Sequence, residues 1–469
     1  MSLEDTLYPL VKVYESVPQP VRSLAGRVYR AIPVSLRHGK NHILFQNEAR
    51  EVESWDAERI LHYQINALRE SLIAAAKAPF YATQFAERGL DPMKFESLEQ
   101  LADYPFLTKQ DLILHREKMV NPEFDAKQRL YISTGGSSGV PVAFYLHKGV
   151  SRPKEQAYLE AQWSRRGYCP GDRVAVIRGG VTSSKASGGI SYFDATRNWL
   201  ILSSYHLTLE RLPEYVAALN KFRPQHLHAY PSAALMLGRG LEQSALKLEF
   251  DLTSVLCGSE KLTRESQMYL EQTFGAPVLH WYGHSERVVF AGQGHTSNQL
   301  YFWPTYGFVE FGGPDANGHR EIIGTSFHNH VMPLIRYRTG DYVKCSSSFQ
   351  GQAMSWPAIE EVIGRDYEFL ISATGRRISL TAINMHDGIF DGIMAVQFYQ
   401  ERKGEVEFRY QPGQKWQSAR VEPMRAGLQK KLGDDFNLVL REVKELEKTS
   451  SGKHRWLITK LSIDGEKFS

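Results

Sequence analysis

Cysteine is scarce in this 469-residue chain, with three residues at Cys169, Cys257 and Cys345. Three widely spaced thiols supply neither a disulfide framework nor a Cys-x-x-Cys metal knuckle. Such usage fits a reducing cytoplasm. Long hydrophobic runs are missing too: no stretch approaches the roughly 20 apolar residues of a membrane helix. The N-terminus lacks the bounded apolar region of a signal peptide. Excess charge is small, with 56 Lys and Arg against 52 Asp and Glu, a net of +4. That balance does not imply a nucleic-acid partner. Internal repeats and low-complexity tracts are absent as well.

What remains is ordinary globular material, 42% hydrophobic and 23% charged, long enough for two or three domains. Near the N-terminus Val21, Leu24, Ala25, Val28 and Ile32 form a helical stripe, with Arg22, Arg27 and Arg30 on other faces. The preferred reading is a helix packed on its own domain with solvated arginines. The alternative is a basic helix in peripheral contact with a membrane surface. A second helical pattern runs through Ile60, Leu61, Ile65, Leu68, Leu72 and Ile73, with Ser54 before it as a candidate cap.

From about Leu130 short apolar runs alternate with helical stretches. Strands are expected at Arg173–Ile177, Trp199–Leu202, Ser254–Cys257 and Pro277–His280, and helices at Leu212–Phe222 and Leu262–Phe274. This alternation implies a parallel sheet covered on both faces. Two β-rich runs flanking Asp315-Ala316-Asn317-Gly318 signal a hairpin. Beyond the serine-rich Ser346–Ser348, a boundary is expected near Gly364. The remainder holds a hairpin with alternation at Val396/Phe398 and Val406/Phe408/Tyr410, a helix near Pro423–Leu432 and a strand at Leu438–Leu440.

Four polar motifs punctuate this pattern. Ser133-Thr134-Gly135-Gly136-Ser137-Ser138-Gly139 combines glycines, which let a backbone approach phosphate closely, with hydroxyl donors. It differs from the GxxxxGK[ST] nucleotide loop, and a plain surface turn would have the same composition. Tyr282-Gly283-His284-Ser285-Glu286 follows an expected strand. A carboxylate there can hold Mg²⁺ against phosphates, and equally can be a solvated strand end. In Tyr337-Arg338-Thr339-Gly340-Asp341 the aspartate can accept hydrogen bonds from a ribose diol, or from turn amides. Thr449-Ser450-Ser451-Gly452-Lys453-His454-Arg455 places a lysine on a short glycine-containing loop, where it can act as a mobile point charge.

In this order the four motifs resemble those of the adenylate-forming ligases, which join a carboxylic acid to AMP and then to an acceptor. Gly135-Gly136 and Ala229-Tyr230-Pro231-Ser232 look most like the phenylacetate–CoA ligases. The long N-terminal extension looks like their relatives encoded with capsular-polysaccharide genes. The resemblance assigns Glu286 to Mg²⁺, Ser285 to the α-phosphate, Asp341 to the ribose and Lys453 to the carboxylate and α-phosphate. It assigns Thr134, Gly135, Gly136, Ser137, Ser138, Gly139, Gly258, Ser259, Glu260, Tyr282 and Gly283 to nucleotide binding. Tyr230 and His284 would line the acyl pocket. Arg365 would approach the ribose or phosphate, and the family's hinge acid falls among Asp366, Tyr367 and Glu368. Val140 stands where the family usually has lysine, which removes a charged contact there.

The resemblance implies an α/β fold. A large N-terminal domain, 1–364, would have mixed, largely parallel sheets, a β-rich section and a helical extension over about 1–50. A small mobile α+β domain, 365–469, would carry the lysine loop. ATP and Mg²⁺ are the implied cofactors, a small-molecule carboxylic acid the substrate and coenzyme A the acceptor, with an amine, giving an amide, as the alternative. A nucleotide-binding module without catalysis is the competing class; Glu286, Asp341 and Lys453 argue against it, and Val140 for it.

Overall fold

The computed structural model describes residues 17–134, 142–179, 190–204, 206–314, 318–345, 356–363, 369–383, 390, 393–412, 416–447 and 457–461. A hairpin of β1 (Arg129–Thr134) and β2 (Val142–His147) comes first. Then follow β3 (Val174–Arg178), β4 (Ser191–Asp194), β5 (Trp199–Ser203), β6 (His226–Ala229), β7 (Ser254–Gly258) and β8 (Val278–Gly283). After these come β9 (Phe290–Gln293), β10 (Leu300–Phe302), β11 (Gly307–Pro314), β12 (Arg320–Ser326), β13 (Tyr337–Cys345) and β14 (Ala358–Val362).

Strands β3 to β14 form one sheet of twelve strands, ordered β11-β12-β13-β14-β10-β9-β8-β7-β6-β3-β5-β4. Its middle, β5-β3-β6-β7-β8, is parallel. The flanks are antiparallel. The parallel sheet expected from the strand–helix alternation forms this middle within an α/β fold, and β11 and β12 pair on either side of the expected hairpin turn. Residues 315–317 of that turn lie outside the described residues.

The strand pleat explains why the middle strands read as unbroken apolar runs. Ala175, Ile177, Leu227, Val255 and Val278 face one side, where they meet Tyr215, Leu237 and Leu270 of the crossover helices. Val174, Val176, Leu256 and Leu279 face the other, against Phe45, Tyr158 and Trp163. Both faces are covered, so alternation with polar residues is lost.

Toward the C-terminus lie β15 (Phe369–Ile371), β16 (Arg377–Ser379), β17 (Ile393–Arg402), β18 (Glu405–Pro412), β19 (Asn437–Glu442) and β20 (Leu457–Thr459). The last four form a separate sheet, ordered β19-β18-β17-β20. Helix Val421–Leu432 lays Met424, Leu428 and Leu432 on it, giving this region its own core.

Two local expectations are corrected. Helix Ala57–Ala76 is capped by Asp56, whose side chain accepts from the Arg59 amide at 2.8 Å, and not by Ser54. Ser54 ends a 3-10 turn and donates instead to the Glu51 carbonyl at 2.7 Å. Helix Gln19–Ala31 does pack on its own domain, but not through the apolar stripe. Gly26 is the residue in contact: a Cβ there would lie 2.4 Å from that of Ala195. Val21, Leu24 and Val28 are on the opposite side, 54%, 65% and 61% exposed. Glycine permits the closer approach, and that seats the helix on its narrow face.

Helix Ser151–Ser164 carries an unusual buried cation. The Lys154 amine donates to the carbonyls of Tyr306 at 2.6 Å and Phe327 at 3.0 Å. Burial pushes its pKa down to about 7, against the opposing pull of Glu48 and Glu155. In the unfolded chain the amine holds its proton up to about pH 10.4. Between these values the unfolded chain binds more protons, so this group makes stability rise with pH, by up to about 1.4 kcal/mol per unit. Lys154→Met should flatten that rise. Urea unfolding of both proteins at a series of pH values from 7 to 9.5 checks it; equal slopes would contradict the assignment.

Candidate active site

The parallel strands deliver their carboxyl ends to one edge of the sheet, the edge where open α/β sheets bind ligands. Arg178 closes β3, Tyr230 follows β6, and Gly258-Ser259-Glu260 closes and follows β7. Tyr282 and Gly283 end β8, and His284-Ser285-Glu286 continue from it. Asp341 belongs to β13, four strands from β8 in sheet order. At about 4.8 Å per strand, a flat sheet would hold them about 19 Å apart.

They nonetheless touch, through two bonds running in opposite senses. The Tyr282 hydroxyl donates to Asp341 Oδ2 at 2.8 Å. The Tyr337 hydroxyl, from β13, donates to Glu286 Oε1 at 3.0 Å. The antiparallel flank must therefore curl back toward the end of β8. Both tyrosines lie in one core with Phe302, Val343 and Ile359. Burial, and then the Asp341 charge, hold the Tyr282 phenol far above its ordinary pKa, so it stays a donor. The other oxygen of the buried Glu286 receives no hydrogen bond from a described residue.

The turn before Asp341 is fixed by Glu321. One of its oxygens accepts from Gly340 N at 3.0 Å, and the other pairs with Arg338 Nη2 at 2.6 Å. Gly340 has φ +75°, a left-handed conformation that favours glycine. On β7, Gly258 lies against Trp281, where a Cβ would fall 2.4 Å from the indole.

Glu260 has a definite structural task. Its carboxylate accepts from Ser232 N at 3.0 Å and Ser232 Oγ at 3.1 Å, at the start of helix Pro231–Gln243. The Glu260 carbonyl accepts from His280 Nε2 at 3.0 Å, and burial pushes that imidazole down to about 4. His284 stacks on Tyr282, ring centres 5.9 Å apart. Both His284 nitrogens are buried without a hydrogen-bond partner.

Of the predicted site residues, Gly258, Ser259, Glu260, Tyr230, Tyr282, Gly283, His284, Ser285, Glu286 and Asp341 are brought to this edge. Thr134 ends β1, whose partner β2 packs Val142, Phe144 and Leu146 into the Tyr282–Tyr337 core. Gly135, Gly136, Ser137, Ser138, Gly139, Arg365 and Lys453 lie outside the described residues, as do Asp366, Tyr367 and Glu368. Arg178 was not foreseen. Its signal was a cation closing the apolar run Val174–Ile177.

Known proteins share this fold. A family model described as the CapK C-terminal domain matches residues 370–460. Protein CapK of Staphylococcus aureus is 24% identical, over 81% of this chain and 85% of its own. Phenylacetate-coenzyme A ligase of Pseudomonas putida is 26% identical, over 68% of this chain and 74% of its own. A solved 2-hydroxyisobutyryl-CoA ligase, in complex with 2-HIB-AMP and CoA, superposes with TM-score 0.56 at 18% identity, covering 87% of this chain and 91% of its own. The fold is that of the adenylate-forming ligases. In sequence the chain is similar to CapK and to phenylacetate-coenzyme A ligases. No described helix is long and apolar enough to cross a membrane.

Gly258→Ala should displace the Trp281 ring. Overpacking of this kind costs about 1–3 kcal/mol. Urea unfolding measures the loss; an unchanged midpoint would show that the ring has room to move.

Proposed function

We propose that the protein activates a carboxylic acid as acyl-AMP and then transfers the acyl group to an acceptor, the thiol of coenzyme A. The observation that carries this reading is the reciprocal tyrosine–carboxylate pair, which sets Asp341 and Glu286 side by side at the sheet edge. The names of the relatives, phenylacetate-coenzyme A ligase among them, support the same chemistry.

In the first step a carboxylate oxygen of the acid attacks the α-phosphorus of ATP, and the bond to pyrophosphate breaks. In the second, the thiol sulfur attacks the acyl carbonyl, its proton passes to solvent, and AMP departs with the bonding electrons. An amine acceptor would give an amide by the same displacement. No protein nucleophile is needed; positioning and charge stabilisation suffice. Asp341 holds the ribose diol, and Ser285 the α-phosphate. Glu286 fits Mg²⁺, since it keeps one carboxylate oxygen clear of described donors, and magnesium shares its oxygen ligands with phosphates. Bound there, Mg²⁺ would neutralise phosphate charge. Gly135–Gly139 cradle the phosphates, and Lys453, on a small mobile domain 365–469, bridges the carboxylate and α-phosphate. The setting is the cytoplasm.

Acid-dependent pyrophosphate release with an acid library and ATP-Mg²⁺ tests the reading. Lys453→Ala should lower it by roughly 10²–10³ with circular dichroism unchanged. In calorimetry Asp341→Ala should weaken ATP and AMP alike, and Glu286→Gln should weaken ATP-Mg²⁺ more than AMP. Full turnover in Lys453→Ala would refute the assignment.

The outward stripe of helix Gln19–Ala31 favours a second partner, an anionic lipid surface. Arg22, Arg27, Arg30, Arg37 and Lys40 lie in a stretch, 17–47, without Asp or Glu. Phosphatidylglycerol vesicles should sediment the wild type and not Leu24→Glu. Equal sedimentation of the two would remove this reading.

A further inference from the structure

Arg178 is a cation that the fold holds in place without neutralising. It ends β3 on the ligand edge of the sheet. Its Nη1 donates to His228 Nε2 at 2.9 Å, its Nη2 donates to Ser259 Oγ, and its Cζ stands 4.6 Å from the centre of the Tyr230 ring. All three partners are uncharged. Burial, with the Arg178 charge adding to it, keeps the His228 imidazole neutral. No described carboxylate forms an ion pair with Arg178. The guanidiniums of three buried arginines are treated differently: Arg165 pairs with Glu53, Arg336 with Glu310 and Arg376 with Asp435.

Neutral acceptors fix the direction of a guanidinium and leave its charge unspent. More N–H donors remain than the two in use. Planar arrays of this kind suit carboxylate and phosphate oxygens. Closing a ligand over Arg178 would strip its water, which is costly unless the ligand brings an opposite charge.

Position gives the rest. β3 lies three strands from β8 in the sheet order, about 14 Å at the usual spacing. Glu286 and Asp341 hold the nucleotide end of the crevice, and Tyr230 and Ser259 lie between the two ends. Resting on the adenylation reading above, we infer that the acid substrate carries a second anionic group, distal to the carboxylate that is activated, and that Arg178 binds it. Arg178 is then a specificity residue that does no chemistry on the reacting atoms.

The test uses matched acids that differ only at the far end: glutarate against pentanoate, and 4-carboxyphenylacetate against 4-methylphenylacetate. Acid-dependent pyrophosphate release gives kcat/KM for the full-length wild type, Arg178→Gln and Arg178→Lys, with circular dichroism to confirm folding. The wild type should prefer the dianionic member of a pair by roughly 10- to 100-fold, the usual worth of a charge-assisted contact. Arg178→Gln should lose that preference mainly through KM, and Arg178→Lys should recover part of it. A wild type that prefers the monoacids, or a preference that survives in Arg178→Gln, overturns the inference. Should no acid drive pyrophosphate release, the adenylation reading fails on its own. Calorimetric titration of the same pairs into wild type and Arg178→Gln then decides the Arg178 assignment without turnover: lost discrimination supports it, and equal binding of both members to the wild type overturns it.

Discussion

The crossed pair of hydrogen bonds, Tyr282 to Asp341 and Tyr337 to Glu286, is the constraint on which the site depends. Each links the parallel and antiparallel parts of one sheet, and each ends on a carboxylate. Side chains from two regions far apart in sheet order thereby meet at hydrogen-bonding distance. A tyrosine suits this task because its ring is buried in the core while its hydroxyl reaches a polar edge. The same burial that packs the ring also keeps the phenol protonated, so packing and polarity reinforce each other.

A second regularity concerns the charges around this edge. Glu321 is spent on the Gly340 turn and on Arg338, and Glu260 on the start of helix Pro231–Gln243. Buried His228 and His280 are held neutral. Glu321 and Glu260 are thus occupied, and His228 and His280 uncharged. Glu286, which keeps one oxygen clear of described donors, and Arg178, which faces neutral partners, stand out against that background. Such differential satisfaction separates groups that build the site from groups that can serve a ligand.

Much of this was legible in the sequence, and the reasons differ by element. The parallel strands were legible because burial on both faces produces apolar runs such as Val174–Ile177 and Ser254–Cys257. The C-terminal hairpin was legible from its period of two, as in Val406, Phe408 and Tyr410. Asp341 and Glu286 could be named as candidates because their motifs are local. Their contact through tyrosine hydroxyls was not legible, since it depends on how far the sheet curls. Arg178 escaped for a similar reason: its significance is that no described carboxylate pairs with it, a fact of tertiary structure. The outward stripe of helix Gln19–Ala31 was misread because amphipathicity gives the direction of a face and not what covers it; Gly26 decided the seating.

Tyr230 would tie the proposed recognition of the acid to the rest of the molecule. Its amide donates to the Ile177 carbonyl at 3.2 Å, one residue before Arg178. Its ring lies beneath the Arg178 guanidinium and packs against both the crossover-helix core and the C-terminal core. The wall proposed to face the acid is therefore shared between two cores. Movement of the small domain, proposed above to be mobile, between two orientations would have to exchange the C-terminal contact of Tyr230 for another. The environment of Arg178 would change with it, because the ring that shields one face of the guanidinium would lose part of its support. A charge near such a shared wall is felt differently in each orientation. An acid that pairs with Arg178 would thus bind the two orientations unequally, and unequal binding is what allows a ligand to bias a conformational equilibrium.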